Sequence, residues 1–363
     1  MKRAVILLSR QPRRPCARDA WVQQTIRAVD HLANLDVAVV SSVGLQTWEL
    51  VTAAAVLRQT RICIVIPTTS DEEFEQEAGR IRTQFALTDE LVKFESISRS
   101  KDADKTEAQV RRDAAVIERA DILLPISIRA DGNMAHAVRD AEQAGREIIR
   151  DFQIPYVARQ ELIAYKIAPE LVSPQINEIG RDYLIHWTRA ANGPWPDERS
   201  IDFYRDVMTA GQYPRSACDT LHRILKTRRL AGSPRHMPAK TAVVSFTGLP
   251  PLACLPLMRW RARFGEMSFE PYGVGIRRSW ADKVGIQPVI YYDNPARPPS
   301  GVEAWLTQSR GVKTDWRQED EYRYRGDLDL SQVPSDQLLA FCLTPVESGR
   351  IETECGIRAT SFY

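Results

Sequence analysis

Along residues 1–150, short apolar runs rich in β-branched residues alternate with longer segments whose apolar residues recur every three or four positions. That alternation is the pattern of βα units wound about a parallel sheet whose strands are covered on both faces. It predicts strands over 4–8, 37–40, 62–66, 91–94, 122–126 and 147–149, with helices over 19–32, 47–58, 71–84, 105–118 and 134–144. Most of these helices open near an acidic or hydroxyl residue able to cap the first-turn amides. The expected fold class is α/β, a doubly wound, Rossmann-like parallel sheet followed by a separate α+β domain. The expected boundaries are 1–150 for the sheet, 151–180 for a linker broken by Pro155, Pro169 and Pro174, and 181–363 for the second domain.

The 363 residues, 44% hydrophobic and 26% charged, suffice for two domains of ordinary size. No window approaches the roughly 18 to 20 apolar residues of a membrane helix, so no membrane partner is expected. The apolar run 4–8 is short for an export signal and is followed at once by arginines. Cys16, Cys63, Cys218, Cys254, Cys342 and Cys355 form no CxxC pair, which indicates neither a zinc site nor a disulfide framework. The expected location is a reducing, cytoplasmic compartment, and no metal is expected. With 49 basic and 47 acidic residues the chain is no polycation. Its positive charge is local: residues 205–240 hold eight Lys/Arg against two acidic residues.

Ligands of doubly wound sheets bind beyond the carboxyl ends of the strands. Three such loops carry suitable residues. Ser9-Arg10-Gln11-Pro12-Arg13-Arg14-Pro15 offers guanidinium groups; Ser41-Ser42-Val43-Gly44 leads into a segment carrying Glu49; Ser127-Ile128-Arg129-Ala130-Asp131-Gly132-Asn133 enters another helix. Glycine permits close backbone approach, and helix amides favour an anion, so these turns suit phosphate. Plain tight turns at Gly44 and Gly132 are the structural alternative. Neither GxGxxG nor GxxxxGK[ST] is present, which excludes the ordinary dehydrogenase and P-loop signatures.

The stretches VAVVSSVGLQTWELVTAAAVLRQTRICIVIP and RRDAAVIERADILLPISIRADGNMAHAVRDAEQAGREI resemble the SLOG superfamily of Rossmann-like nucleotide binders, which includes the DprA and LOG-type proteins. The PGGxGT signature of LOG hydrolases is missing at the second turn. The resemblance implies that Ser41, Ser42, Gly44, Gly132 and Asn133 line the phosphates. Arg10 and Arg129 would be counter-charges, and Glu49 would bond a ribose hydroxyl.

The second half carries Tyr183-Leu184-Ile185-His186-Trp187-Thr188-Arg189, then a basic amphipathic helix from Ser216 reading TLHRILKTRRL. A YGVGI turn at 272–276 and Asp315-Trp316-Arg317-Gln318-Glu319-Asp320-Glu321-Tyr322-Arg323 follow. Together these resemble AbiGi-like abortive-infection proteins and, more distantly, ADP-ribosyltransferases of the DarT or PARP-like kind. The transferase resemblance implies NAD as cofactor, with Glu321 or Glu319 stabilising an oxocarbenium-like state. His186 and Thr188 would hold the NAD ribose, and Tyr272 or Trp187 would stack on nicotinamide. Arg223, Lys226, Arg228 and Arg229, with Arg259, Arg261 and Arg263, would hold DNA or RNA. The structural alternatives are a satisfied strand-end histidine and a solvated ion-pair face.

The leading expectation is a defence or stress protein that senses a nucleotide-derived ligand through its first domain and acts through an effector domain, with a homo-oligomer as a plausible assembly. The alternatives are a DprA-like nucleic-acid-binding protein without catalysis, and a nucleotide N-glycosidase in the first domain.

Overall fold

The apolar runs of the first half do form strands, and those starting near residues 38, 62 and 92 run two to four residues further at the carboxyl end than the hydrophobic pattern alone marks. A computed structural model describes residues 1–100, 104–158, 165–235, 237, 240–261, 265–293, 299–310 and 315–363. The chain divides into two units, Met1–Glu161 with Asn192–Pro214, and Leu162–Ala191 with Arg215–Tyr363. Residues 192–214, expected in the second domain, thus belong to the first unit. No helix among the described residues is long and apolar enough to cross a membrane.

The first unit holds β1 (Arg3–Leu8), β2 (Ala38–Ser42), β3 (Ile62–Thr68), β4 (Val92–Ser98), β5 (Ile122–Ser127) and β6 (Glu147–Ile148), all parallel, in the order β4-β3-β2-β1-β5-β6. Between them run α1 (Ala20–Asn34), α2 (Gln46–Leu57), α3 (Asp71–Phe85), α4 (Lys105–Glu118) and α5 (Asn133–Gln143). Strand alternation splits the core. Ala4, Ile6 and Leu8 face the side shared with α1, α2 and α3, whereas Val5 and Leu7 face α4 and α5. This is the Rossmann-like sheet that the alternating pattern predicts.

Helix α2 explains why residues 192–214 return to this unit. Its residues Leu50 to Val56 are all buried, so it carries no solvent face and needs a cover on its outer side. The cover is α6 (Ser200–Thr209), whose Ile201, Phe203, Tyr204 and Val207 join the same core. The backbone N–H of Ser200 and its hydroxyl both donate to Gln84 Oε1 at the start of α6.

The second unit is built on a mixed sheet of β7 (Tyr183–Trp187), β8 (Val243–Thr247), β9 (Gly273–Arg277), β10 (Gln287–Pro288), β11 (Glu321–Arg325), β12 (Leu338–Cys342) and β13 (Ala359–Ser361), in the order β10-β11-β8-β7-β9-β12-β13. Among the described residues of this sheet, only β12 and β13 pair in parallel. On one face, Leu184, Phe246, Val274 and Ile276 pack with α7 (Ala217–Thr227) and α8 (Pro345–Cys355). On the other, Tyr183, Ile185 and Trp187 pack with Cys254, Met258, Phe341 and Phe362. A capping box, Ser216 with Asp219, starts α7 as the sequence pattern requires.

Candidate functional site

In the first unit the connection from β1 runs toward β2, and that from β5 runs the opposite way to β6, so the topological switch lies between β1 and β5. The two loops leaving those strands are zipped together. Ser9 N–H donates to the Ser127 carbonyl at 2.9 Å, Gln11 Nε2 donates to the carbonyls of Ser9 (3.1 Å) and Ser127 (3.2 Å), and Arg129 N–H donates to Ser9 Oγ at 2.9 Å. Beyond β6, Ile154 N–H reaches the Ile126 carbonyl and the Tyr156 hydroxyl donates to the Arg10 carbonyl at 3.2 Å.

These segments line an open cavity of about 570 Å³ bounded by residues 128–131 and 153–156, within the volume range of small-molecule sites. Arg10 and Arg129 are exposed beside it, and Gly132 and Asn133 open α5 there. Gly132 has an ordinary φ of −92°, so its backbone does not demand glycine by handedness. Space favours it: a Cβ would stand 3.3 Å from the Arg129 carbonyl oxygen, so the turn that Gly132 N–H closes onto that same oxygen would have to give by a few tenths of an ångström. Arg129 shares charge with Asp131 at 3.8 Å, a solvent-exposed pair of little energetic weight.

The turn after β2 is built differently from the expectation. The strand runs through Ser42 rather than ending at 40, so both serines lie inside the sheet and are fully buried. Ser41 Oγ donates to the Trp48 carbonyl and accepts from Thr52 Oγ1, each at 3.0 Å, and Ser42 Oγ donates to the Val65 carbonyl at 2.7 Å. Neither hydroxyl faces a ligand. Glu49 is also an internal residue, accepting from the Tyr204 hydroxyl at 2.8 Å and from the Gly44 backbone. Burial raises its carboxyl above the ordinary range, and these bonds oppose that rise. Gly44 keeps its expected place in the turn, with φ +82°, a conformation that favours glycine. Buried Arg112 donates to the Val43 carbonyl and pairs with Asp113, which also accepts from Trp48 Nε1. Sequence reasoning missed this Arg112 support and also Gln11 and Tyr156, because each acts on a strand remote in sequence.

In the second unit the sheet separates the expected NAD-binding His186 from the expected catalytic Glu321. Ile185 pairs with Thr247 and Thr247 with Glu321, so these three share a face. His186, one residue on, points to the other face, where its ring meets Phe246 and its Nδ1 donates to the Ser245 carbonyl at 2.8 Å. Burial holds His186 below the ordinary histidine range, the Ser245 bond opposing. Glu321 is clamped by Arg323 (both bonds 2.9 Å) and accepts from Ser245 Oγ at 2.8 Å. Arg323 also donates to the carbonyls of Trp305 and Thr307, which makes the pair a structural hub. Glu319 stands against Arg261 at 3.4 Å; burial raises its carboxyl and Arg261 opposes the rise.

The remaining NAD candidates are committed to contacts inside the second unit. Thr188 is buried, its hydroxyl lying 3.1 Å from the Ala217 carbonyl and 3.0 Å from that of Tyr272. The Tyr272 hydroxyl donates to Glu347 at 2.8 Å on the α7/α8 face. Trp187 is on the opposite face, packed among Phe269, Phe341 and Phe362. The expected basic stripe is also partly consumed: Arg228 donates to the Cys355 carbonyl and Arg229 pairs with Asp327 at 2.6 Å. Lys226 is exposed, Arg223 is half-buried, and Arg263 lies outside the described residues. No group of three His, Cys, Asp or Glu among the described residues could hold a metal ion.

No family model matches the chain, and no curated protein matches it. Among solved structures it is similar to DNA processing protein A from Helicobacter pylori, described for its single-stranded DNA binding mode, with 16% identity over 44% of this chain and 67% of that one at a TM-score of 0.31. DNA processing protein A (DprA) from Streptococcus pneumoniae shows 14% identity over 40% of this chain and 49% of its own, at a TM-score of 0.30. Likeness at this level decides nothing about function, and the fold assignment rests on the strand order itself. The abortive-infection and ADP-ribosyltransferase resemblances gain no match.

Proposed function

We propose that the first unit binds a phosphate-bearing nucleotide in the cavity at the carboxyl ends of β1 and β5. One observation carries the reading: the topological switch, the 570 Å³ cavity, the α5 amino terminus and the exposed guanidinium groups of Arg10 and Arg129 coincide. Tyr156 supplies an aromatic ring to the same cavity. Binding, rather than chemistry, is the role these residues support, because among the described residues the cavity lining offers Asp131 as its one carboxylate and no paired acid for N-glycosidic cleavage. On this reading the first unit is the sensor of a defence or stress protein and the second its effector, with no ADP-ribosyl transfer assigned, since His186 and Glu321 face opposite ways.

The test is isothermal titration of the full chain with ATP, ADP and NAD, preceded by mass spectrometry of small molecules released on denaturation. At least one nucleotide should bind, and the double substitution Arg10→Ala/Arg129→Ala should weaken it at least tenfold with an unchanged melting temperature. Undiminished binding by that variant would remove the two arginines from the site.

A further inference from the structure

The described part of the second unit gathers, away from α7, arginines that lie far apart in the sequence. Arg189 follows β7, Arg235 follows a bridge between Ser233 and Val243, and Arg261 lies on a two-stranded ribbon, Trp260–Arg261 with Glu266–Met267. The Arg261 guanidinium stands 3.4 Å from Glu319, and the other two meet at Glu266. Arg189 approaches its carboxylate at 3.2 Å and Arg235 at 3.1 Å, and Arg261 is its direct cross-strand partner. Glu266 is only 10% exposed in its side chain, whereas Arg189 and Arg235 are 41% and 46% exposed. One shielded carboxylate thus aims two half-exposed guanidinium groups outward, with a third beside them.

The backbone that carries Arg189 is pinned on both sides. Thr188 N–H donates to the Tyr272 carbonyl at 2.7 Å, and Ala190 N–H donates to buried Glu270 at 2.8 Å. Glu270 is further committed to the Tyr165 hydroxyl. Glu319 faces Arg261 and Arg259. Burial lowers the proton affinity of Arg189; Glu266 opposes this, and the like charges of Arg235 and Arg261 add to it. Like charges held this close repel, and a bound anion relieves that repulsion.

We infer that Arg189 and Arg235, held by Glu266, and Arg261, held by Glu319, form a binding site for a phosphate group, as presented by a single-stranded nucleic-acid backbone or by a free nucleotide. Arginine forks suit phosphate oxygens because they offer two parallel donors. The site is independent of the cavity proposed for the first unit.

The experiment measures fluorescence anisotropy of the full chain with a labelled oligothymidylate of about 20 residues, then competition by ATP and by inorganic phosphate. Arg189→Gln/Arg235→Gln, which keeps a donor toward Glu266, should weaken the oligonucleotide at least tenfold. It should also flatten the salt dependence by about 1.4 in the log–log slope, two single-strand phosphate contacts at about 0.7 each. Glu266→Gln, which removes the negative charge, should bind as tightly as wild type or tighter at low salt. Competition by ATP or phosphate at concentrations far below those that screen by ionic strength assigns the site to a free phosphate; its absence assigns the site to the backbone. Arg10→Ala/Arg129→Ala is measured in parallel, and a tenfold loss in that variant with none in Arg189→Gln/Arg235→Gln would assign the oligonucleotide to the first unit and overturn the inference. Wild-type affinity and slope in Arg189→Gln/Arg235→Gln overturn the inference, as does a wild-type chain that binds none of the three probes. Should the double variant melt early, Arg235→Gln alone reads the same loss at the more exposed arginine.

Discussion

The two sheets differ in how they dispose of the polar residues that the sequence offers as a site. In the first unit all strands run the same way, so their loops emerge at one edge, and Arg10, Arg129, Gly132 and Asn133 gather there although they come from different strands. In the second, the candidates ride on the strands themselves, and alternation sends His186 to one face and Glu321 to the other. A parallel sheet collects what its loops carry; a strand-borne set must also agree in parity.

The largest test of that contrast concerns the motif at 319–323. If Glu321 and Arg323 form a structural clamp, Arg323→Ala should cost about 3–5 kcal/mol, the usual penalty for stranding a buried partner. Urea unfolding measures it, and a loss under about 1 kcal/mol would return the motif to candidacy as a solvent-facing site. Next in size is the cover on α2. Tyr204→Phe removes a bond to a carboxylate and should cost about 1.5–3 kcal/mol; unchanged stability would mean that residues 192–214 do not hold α2.

A smaller effect is expected at the β2 serines. Ser42→Ala should cost about 1 kcal/mol through its lost bond to the Val65 carbonyl, with nucleotide affinity unaltered. Weakened affinity at full stability would put the ligand back at the β2 turn.

The smallest is a pH effect at Glu49. Its folded-state proton affinity is raised by burial, so the folded chain binds the proton more tightly than the unfolded chain. The resulting cost is absent below the ordinary value of 4.5, grows as pH rises through the raised value, and is complete above it. Glu49→Gln cannot ionise yet still accepts from Tyr204. Its stability relative to wild type should therefore be greater at pH 7 than at pH 4, by unfolding midpoints at both; a pH-independent difference would show that Glu49 is solvated.

Much of the first unit was legible in advance because a parallel sheet buries both faces, and apolar runs such as Ala4 to Leu8 and Ile62 to Ile66 have few other uses. The serines were misjudged because hydroxyls suit a phosphate turn and a strand end equally well. What distinguishes them is the neighbour that accepts the proton, Trp48 for Ser41 and Val65 for Ser42. A clue to α6 was present: residues 50–56 read apolar on every side, which demands a cover without naming it.

Sequence by itself determined the βα periodicity, the glycine turns at Gly44 and Gly132, the Ser216 cap and the position of the arginine-rich loops, since each is a local property of a few neighbouring residues. Tertiary structure alone decided that residues 192–214 complete the first unit, that Glu49 faces Tyr204 instead of a ribose, that His186 and Glu321 part company, and that Arg189 and Arg235 converge on Glu266 beside the Arg261 strand. The reason is physical: burial and strand pairing are set by residues far away in the chain, and a side chain's chemistry is assigned by what it meets there.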